Sequence, residues 1–315
     1  MEYCFGVDIG GTTVKIGLFS RKKGLLEKWE IPTRKGTEPT PLLKDIKYEI
    51  EECLNRNDLK KEHLAGIGMA APGPVTEDGC LRGTVNIGWG DVFLGNEAED
   101  LISVSPIFIG NDARVAALGE YTFGAGKEVN SLLMVTLGTG VGGGVILNGK
   151  ILAGVSGTAG EIGHMTMNPY EEEQCNCGKK GCLEQYASAQ GMVRVARKVL
   201  VNTDKPSVLR EMDVLTAKKL WDAGKIGDAL ALELTEYISR MLGMAIANAC
   251  YIVDPEMVVL GGGVSQAGEF LLDMVQRAYA ENVFPHCRDK KFALAKLRND
   301  AGIFGAAALV FQSVN

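Results

Sequence analysis

"YCFGVDIGGTTVKIGLFS", residues 3–20, reads as strand, tight turn, strand: an apolar, β-branched run breaks at Gly10 and Gly11 and then resumes. The pattern returns at residues 132–150, "LLMVTLGTGVGGGVILNGK", where Val135-Thr136-Leu137-Gly138 sets over Val7-Asp8-Ile9-Gly10. An internal repeat fixes architecture before any single motif does. Two glycine-turned hairpins, one in each half, imply two related α/β lobes.

The flanking segments agree. Residues 42–57 carry apolar side chains at helical spacing, and residues 64–75, "LAGIGMAAPGPV", read as a strand entering a Pro/Gly turn. Residues 105–124 read as a strand, then Asn111-Asp112, then an alanine-rich helix. Residues 226–255 form a long helix stopped near Pro255; 256–283 are strand, glycine turn, helix; 300–312 are a closing helix. Strands alternating with helices argue an α/β class. A length of 315 residues fits two domains at about 150 residues each.

Composition excludes several functions. With 46% hydrophobic and 23% charged residues the chain can bury an ordinary globular core. A net charge of -6 and no basic tract leave nucleic-acid binding without electrostatic support. No apolar run approaches the ~20 residues of a membrane span, and the start, "MEYCFGVDIGG", lacks the pattern of a secretory signal. The expected compartment is the cytosol, where thiols stay reduced, so the eight cysteines are not expected to pair. Cys4 and Cys250, set in apolar runs, are expected in the core.

Glycines in the turns let the backbone approach a ligand closely, and successive N–H groups there form an anion-binding concavity. Thr12, Thr13 and Lys15 add hydroxyls and a charge to the first turn; Thr139 sits between Gly138 and Gly140 in the second; Gly262 and Gly263 form a third, ahead of a helix. The standard nucleoside-triphosphate and dinucleotide spacings are absent. Three such turns with Asp8 opening the first nevertheless point to a nucleotide site, where a carboxylate beside phosphates implies a divalent cation or its waters between them.

Asp112 admits two readings from spacing alone, a helix N-cap or a catalytic carboxylate at a strand end. Glu161 and His164, three apart, share a face if that stretch is helical, and Glu184 follows the cysteines. His164, Cys175, Cys177 and Cys182, spaced His-x10-Cys-x-Cys-x4-Cys, offer one nitrogen and three sulfurs. That set suits a closed structural zinc site, although a free-thiol cluster is also compatible with it.

"DIGGTTVK" (8–15), "APGPV" (71–75), "GND" (110–112), "LGTGVGGG" (137–144), "GTAGEIGH" (157–164) and "CNCGKKGCLE" (175–184) together resemble the ordered motifs of the ROK family, most closely its bacterial zinc-containing glucokinases. The resemblance runs from residue 5 to about residue 310. It implies a two-lobed, actin-like ATPase (ribonuclease H-like) sugar-kinase fold with the active site in a cleft between lobes. The expected lobes are residues 1–115 with 301–315, and 116–300 carrying the zinc loop. It implies ATP-dependent phosphorylation of glucose to glucose 6-phosphate with Mg²⁺ and a structural Zn²⁺. Asp112 is then the general base. Gly73, Asn86, Asn111, Glu161, His164 and Glu184 contact the sugar, and Asp8, Gly10, Gly11, Thr12, Thr13, Lys15, Gly138, Thr139, Gly140, Gly262 and Gly263 hold the nucleotide. His164, Cys175, Cys177 and Cys182 ligate zinc. The resemblance also implies a homodimer or homotetramer. Another hexose (fructose, mannose, allose or N-acetylmannosamine) is the alternative substrate. A sugar-responsive regulator and an actin-like scaffold are the readings outside sugar phosphorylation.

Overall fold

The computed structural model describes residues 1–76, 78–84 and 87–314. The chain folds into two compact units. One comprises residues 1–128, 144–160 and 299–315; the other comprises 129–143 and 161–298. The boundary at 115/116 expected from the sequence differs from this division, because it falls inside a helix that packs as one piece with the first unit.

In the first unit, β1 (Tyr3–Ile9) and β2 (Thr13–Ser20) form the antiparallel hairpin read from the opening stretch, with Asp8 opposite Lys15. β3 (Gly24–Pro32) extends it on the outer side, and β4 (Leu64–Ala71) and β5 (Ile107–Asn111) run parallel on the other, giving the order β3-β2-β1-β4-β5. Every residue of β4, LAGIGMAA, is buried, as a central strand covered on both faces must be. One face packs on α1 (Thr40–Arg56) and α2 (Leu94–Ile102) through Phe5, Val7, Ile46, Ile50, Leu94 and Ile102. On the other face Cys4, Phe19 and Ala65 meet Ile303, Ala307 and Val310, which belong to the last helix of the chain, Ala301–Ser313. α3 (Asp112–Phe123) packs beside that helix. The approach is close enough to need glycine: a Cβ on Gly68 would stand 1.8 Å from the Ala306 carbonyl oxygen.

The second sheet has the order β10-β9-β6-β7-β8, formed by β6 (Ser131–Leu137), β7 (Val141–Leu147), β8 (Lys150–Ile151), β9 (Met257–Gly261) and β10 (Lys291–Leu294). Read from its β8 edge it repeats the first sheet's connectivity, hairpin first and then two parallel strands. The internal repeat is therefore architectural. Residues 144–151 of this sheet count with the first unit and the rest with the second. The second unit carries α4 (Glu184–Ala187), α5 (Ala189–Asn202), α6 (Ala217–Lys225), α7 (Ala229–Val253) and α8 (Glu269–Asn282), ahead of the last helix, α9. α7 is the long helix expected at 226–255. Asp228 caps it by accepting from Ala231 N, and Asp254 ends it in the left-handed conformation ahead of Pro255. Cys4 and Cys250 lie in the core, as expected. Among the described residues no helix is long and apolar enough to cross a membrane.

Candidate active site and metal centre

In the first unit the β1–β2 turn closes tightly: Gly10 N donates to Thr13 O at 3.0 Å, and Thr33 Oγ1 donates to Gly10 O at 2.6 Å. Asp8, at the end of β1, lies against the first turn of α9, where a Cβ on Gly302 would come 2.4 Å from its carboxylate. Burial, then the nearby charge of Asp112, push the Asp8 carboxyl up to about 6; Lys15 opposes them. A carboxylate so short of positive charge suits a cation held with a phosphate. Lys15 itself donates to Asn299 O.

Asp112 is the first residue of α3, directly after β5. Its Oδ1 accepts from Ala113 N at 2.7 Å and from Asn111 Nδ2 at 2.9 Å. The capping role falls to Asn111, whose Oδ1 accepts from Arg114 N at 3.2 Å. The carboxylate of Asp112 is thus oriented by its neighbours, and the N-cap position of α3 belongs to Asn111. Asn111 Nδ2 also donates to Gly73 O at 3.1 Å, tying the Pro/Gly turn to the helix start. With both its amide hydrogens engaged, Asn111 keeps a lone pair on Oδ1 for a further donor. Asn86 lies outside the described residues.

In the second unit the glycine turns gather around Glu184. Gly138 N donates to Gly140 O at 3.0 Å, Ala189 N donates to Gly138 O at 2.8 Å, and Glu184 Oε2 accepts from Val141 N at 3.0 Å. Gly262, at φ 82°, presses on the same strand end, where a Cβ would fall 2.4 Å from Leu137 O. The third glycine turn does not open α8 as expected. A 3-10 turn, Gly263–Ala267, comes first, and α8 begins after Gly268.

Glu161 precedes a 3-10 turn, Ile162–His164, closed by His164 N donating to Glu161 O at 3.1 Å, so the helical spacing expected for this pair is present. The ligand atoms of His164, Cys175, Cys177 and Cys182 lie within 4.8 Å of one another. His164 Nδ1 is 4.0 Å from Cys175 Sγ, and Cys177 Sγ is 3.6 Å from Cys182 Sγ. Ligands on a zinc at about 2.0–2.3 Å stand at such separations, and three sulfurs with one imidazole is a zinc-type set. At Cys182 burial, then hydrogen bonds with Cys177 and Cys175, push the thiol up to about 12. For Cys177, partial burial acts upward, but the Lys179 N–H and its sulfur neighbours outweigh it and lower the pKa. Burial thus favours the protonated thiol at Cys175 and Cys182, while Cys177 gives up its proton more readily; a bound cation would favour all three thiolates.

Sequence reading missed the clamp beside this loop. Arg194 on α5 pairs with Glu171 and Glu173 at 2.8 Å each, and Tyr186 OH donates to Glu171 at 2.8 Å. Gln185 accepts from Cys182 N and donates to Glu173 O, so the clamp is one residue removed from the cluster. The Arg194 hydrogen bond, aided by Tyr186 against the effect of burial, holds the Glu171 carboxyl at about 2. Its folded pKa is depressed, so the stability it contributes is present above about pH 4.5 and lost as pH falls through about 2. Glu171→Gln is expected to lower the Tm at pH 7 by on the order of 2–4 °C, with the deficit shrinking toward pH 2; thermal scans across that range measure it.

The ROK family model matches residues 4–313. The chain belongs to the ROK family. A glucokinase of Halalkalibacterium halodurans is 42% identical, covering 98% of this chain and 95% of that one. A Streptomyces griseus ROK glucokinase, solved with glucose and AMPPNP, is 30% identical over 98% of this chain and 99% of that one, with a TM-score of 0.79. A ROK transcriptional regulator, a homologue of the E. coli MLC protein, is 26% identical over 99% of this chain and 78% of that one, with a TM-score of 0.87. The fold is therefore the actin-like ATPase fold of ROK sugar kinases, with two mixed sheets of matching connectivity.

Proposed function

We propose that this chain transfers the γ-phosphoryl group of ATP to the 6-hydroxyl of glucose. The observation that carries the reading is Asp112: a carboxylate at a strand end, oriented by two donors and spared the capping of its own helix. The similarity to glucokinases along nearly the whole chain supports the substrate class.

Phosphoryl transfer asks a protein for positioning and charge neutralisation more than for covalent chemistry. Asp112 accepts the proton of the attacking hydroxyl as its oxygen bonds to the γ-phosphorus and the bond to the leaving ADP breaks. Asn111 offers its free lone pair to a sugar hydroxyl, with Gly73 beside it. Glu161, His164 and Glu184 are the further sugar contacts we assign. The turns at Gly10, Gly11, Thr12 and Thr13, at Gly138, Thr139 and Gly140, and at Gly262 and Gly263 are assigned to the nucleotide, with Lys15 adding charge. Asp8 would hold Mg²⁺ or its waters, which supply charge neutralisation at the phosphates. His164 and the three cysteines would hold Zn²⁺, whose contribution is order: a ring fixed through Nδ1 presents Nε2 in one direction. With four protein ligands no position is left open for chemistry.

The regulator likeness supports a second reading, a sugar-responsive DNA-binding protein without turnover. ADP release with ATP and Mg²⁺ across a panel of hexoses separates the two. Glucose is expected among the best substrates. A better rate with another hexose moves the substrate assignment; no ADP with any sugar, together with retardation of a DNA fragment, favours the regulator.

A further inference from the structure

Arg114 is 2% exposed and sits one turn into α3, two residues past Asp112. A guanidinium keeps its proton under all folding conditions, so this is a permanent positive charge inside the first unit, costly unless its N–H groups are well used. Two of them go to a single segment: Nη1 donates to Ala153 O at 3.3 Å and Nη2 to Gly157 O at 2.7 Å. That segment, 153–160, closes on itself through Gly157 N to Gly154 O at 3.0 Å and Ala159 N to Ala153 O at 3.1 Å. It runs straight on in sequence to Glu161.

The same segment bears on the Pro/Gly turn. A Cβ on Gly157 would stand 2.3 Å from Val75 O, so the two backbones lie in direct contact. Gly73, two residues before Val75, accepts from Asn111, and Asn111 accepts from Arg114 N. The contacts form a ring within the first unit: Asn111 to Gly73, Val75 to Gly157, Gly157 to the Arg114 side chain, and Arg114 N back to Asn111. Asp112 lies inside the arc that closes it. The Arg114 side chain joins segment 153–157 to the base-bearing helix in this ring.

We infer that Arg114 is a positioning residue for the acceptor sugar: it fixes segment 153–160 against the start of α3, so that the groups presented by that segment and the Asp112 carboxylate keep one spacing. This rests on the sugar-kinase reading. It assigns Arg114 no contact with the reacting atoms. A spacing role shows in sugar binding and rate and leaves nucleotide binding alone.

The test uses the full chain with Arg114→Met, which keeps length without donors, and Arg114→Lys, which keeps the charge and can reach one carbonyl. Amide hydrogen exchange at Gly157 and Ala159 is read beside steady-state kinetics. In Arg114→Met, exchange at both amides is expected to rise tenfold or more, and KM for glucose to rise roughly tenfold, the scale of losing a charged hydrogen bond. KM for ATP stays within twofold, and Arg114→Lys recovers part of both losses. Unchanged exchange at 157 and 159 overturns the anchor. KM values for glucose and ATP rising together overturn the positioning role. Should Arg114→Met fail to fold, Arg114→Lys carries the same comparison, and its showing wild-type exchange and wild-type KM for glucose counts against the proposal. A wild-type protein making no ADP with any hexose defeats the sugar-kinase reading and the sugar-positioning claim with it; the exchange measurement still decides the anchor.

Discussion

Asp112→Asn is expected to lower kcat on glucose by on the order of 10²–10⁴, the usual worth of a general base, while the protein stays folded with an undiminished Tm. The separation of these effects follows from the geometry. Asparagine is isosteric, and its Oδ1 can still accept from Ala113 N and Asn111 Nδ2, the two bonds that orient the carboxylate. The helix cap is untouched because Asn111 supplies it. Removing the charge also relieves Asp8, whose carboxyl is pushed up to about 6 first by burial and second by Asp112. Asp8 has a raised folded pKa, so its favourable contribution exists at acid pH and fades as pH rises through about 6. Without Asp112 that penalty at neutral pH shrinks, which moves stability up. The variant loses the carboxylate that would take the hydroxyl proton. Steady-state ADP release and a thermal scan on the same preparation measure both sides. A kcat within tenfold of wild type would remove Asp112 from the base role and leave it as an oriented but uncatalytic carboxylate.

The readability of this chain has a physical pattern. Features set by local chemistry were legible: the hairpins turned at Gly10 and at Gly138, the buried strand through residues 64–71, the Asp112 strand end, the Asp254-Pro255 stop, and the gathering of one histidine with three cysteines. The repeat was visible because both hairpins place glycine at the same offset from an apolar run, and the matching strand orders extend that likeness to whole sheets. Features set by tertiary contact were not legible. Nothing near Gly68 announces that α9, over 230 residues later, lies on it. β10, four residues of KFAL, is too short for periodicity to mark. Arg114 reads as an ordinary polar position of an alanine-rich helix until the carbonyls of 153 and 157 appear beside it. The Glu171–Arg194 pair joins residues 23 apart that belong to a loop and a helix, so no helical spacing predicts it. The glycines at 262 and 263 signalled a turn correctly, but not that a 3-10 turn would separate them from α8, because both continuations begin with the same small residues.

Removing the zinc ligands is expected to have the widest effect. Metal analysis of untagged wild-type protein should find about one zinc per chain, and Cys177→Ser or Cys182→Ser should lose most of it. In the variants the stretch from His164 to Cys182 is expected to become readily cleaved by protease and fast in hydrogen exchange. Little besides the metal would hold the loop. Tyr170 and Cys177 are exposed, and only Cys175 and Cys182 among its thiols are buried, so the loop has little apolar surface of its own to order it. Glucose affinity should fall by on the order of tenfold or more, the scale seen when the groups orienting a ligand are loosened. The loss should reach the nucleotide too, more weakly, because Glu184 accepts from Val141 N in the glycine turn while its other oxygen receives the Cys175 thiol at 3.7 Å. Proton competition gives an independent check. Zinc must displace the protons of three thiols, and burial and its sulfur neighbours push the Cys182 thiol up to about 12, so zinc affinity should drop steeply as pH falls. The clamp at Glu171 persists down to about pH 2 and does not titrate over the same range. Zinc release at mildly acid pH should therefore precede loss of the fold, separating the metal's ordering of the sugar loop from the stability of the unit that bears it. Wild-type protein that contains no zinc yet phosphorylates glucose at full rate, with the loop resistant to protease, would show that the thiols and imidazole order this segment without a metal.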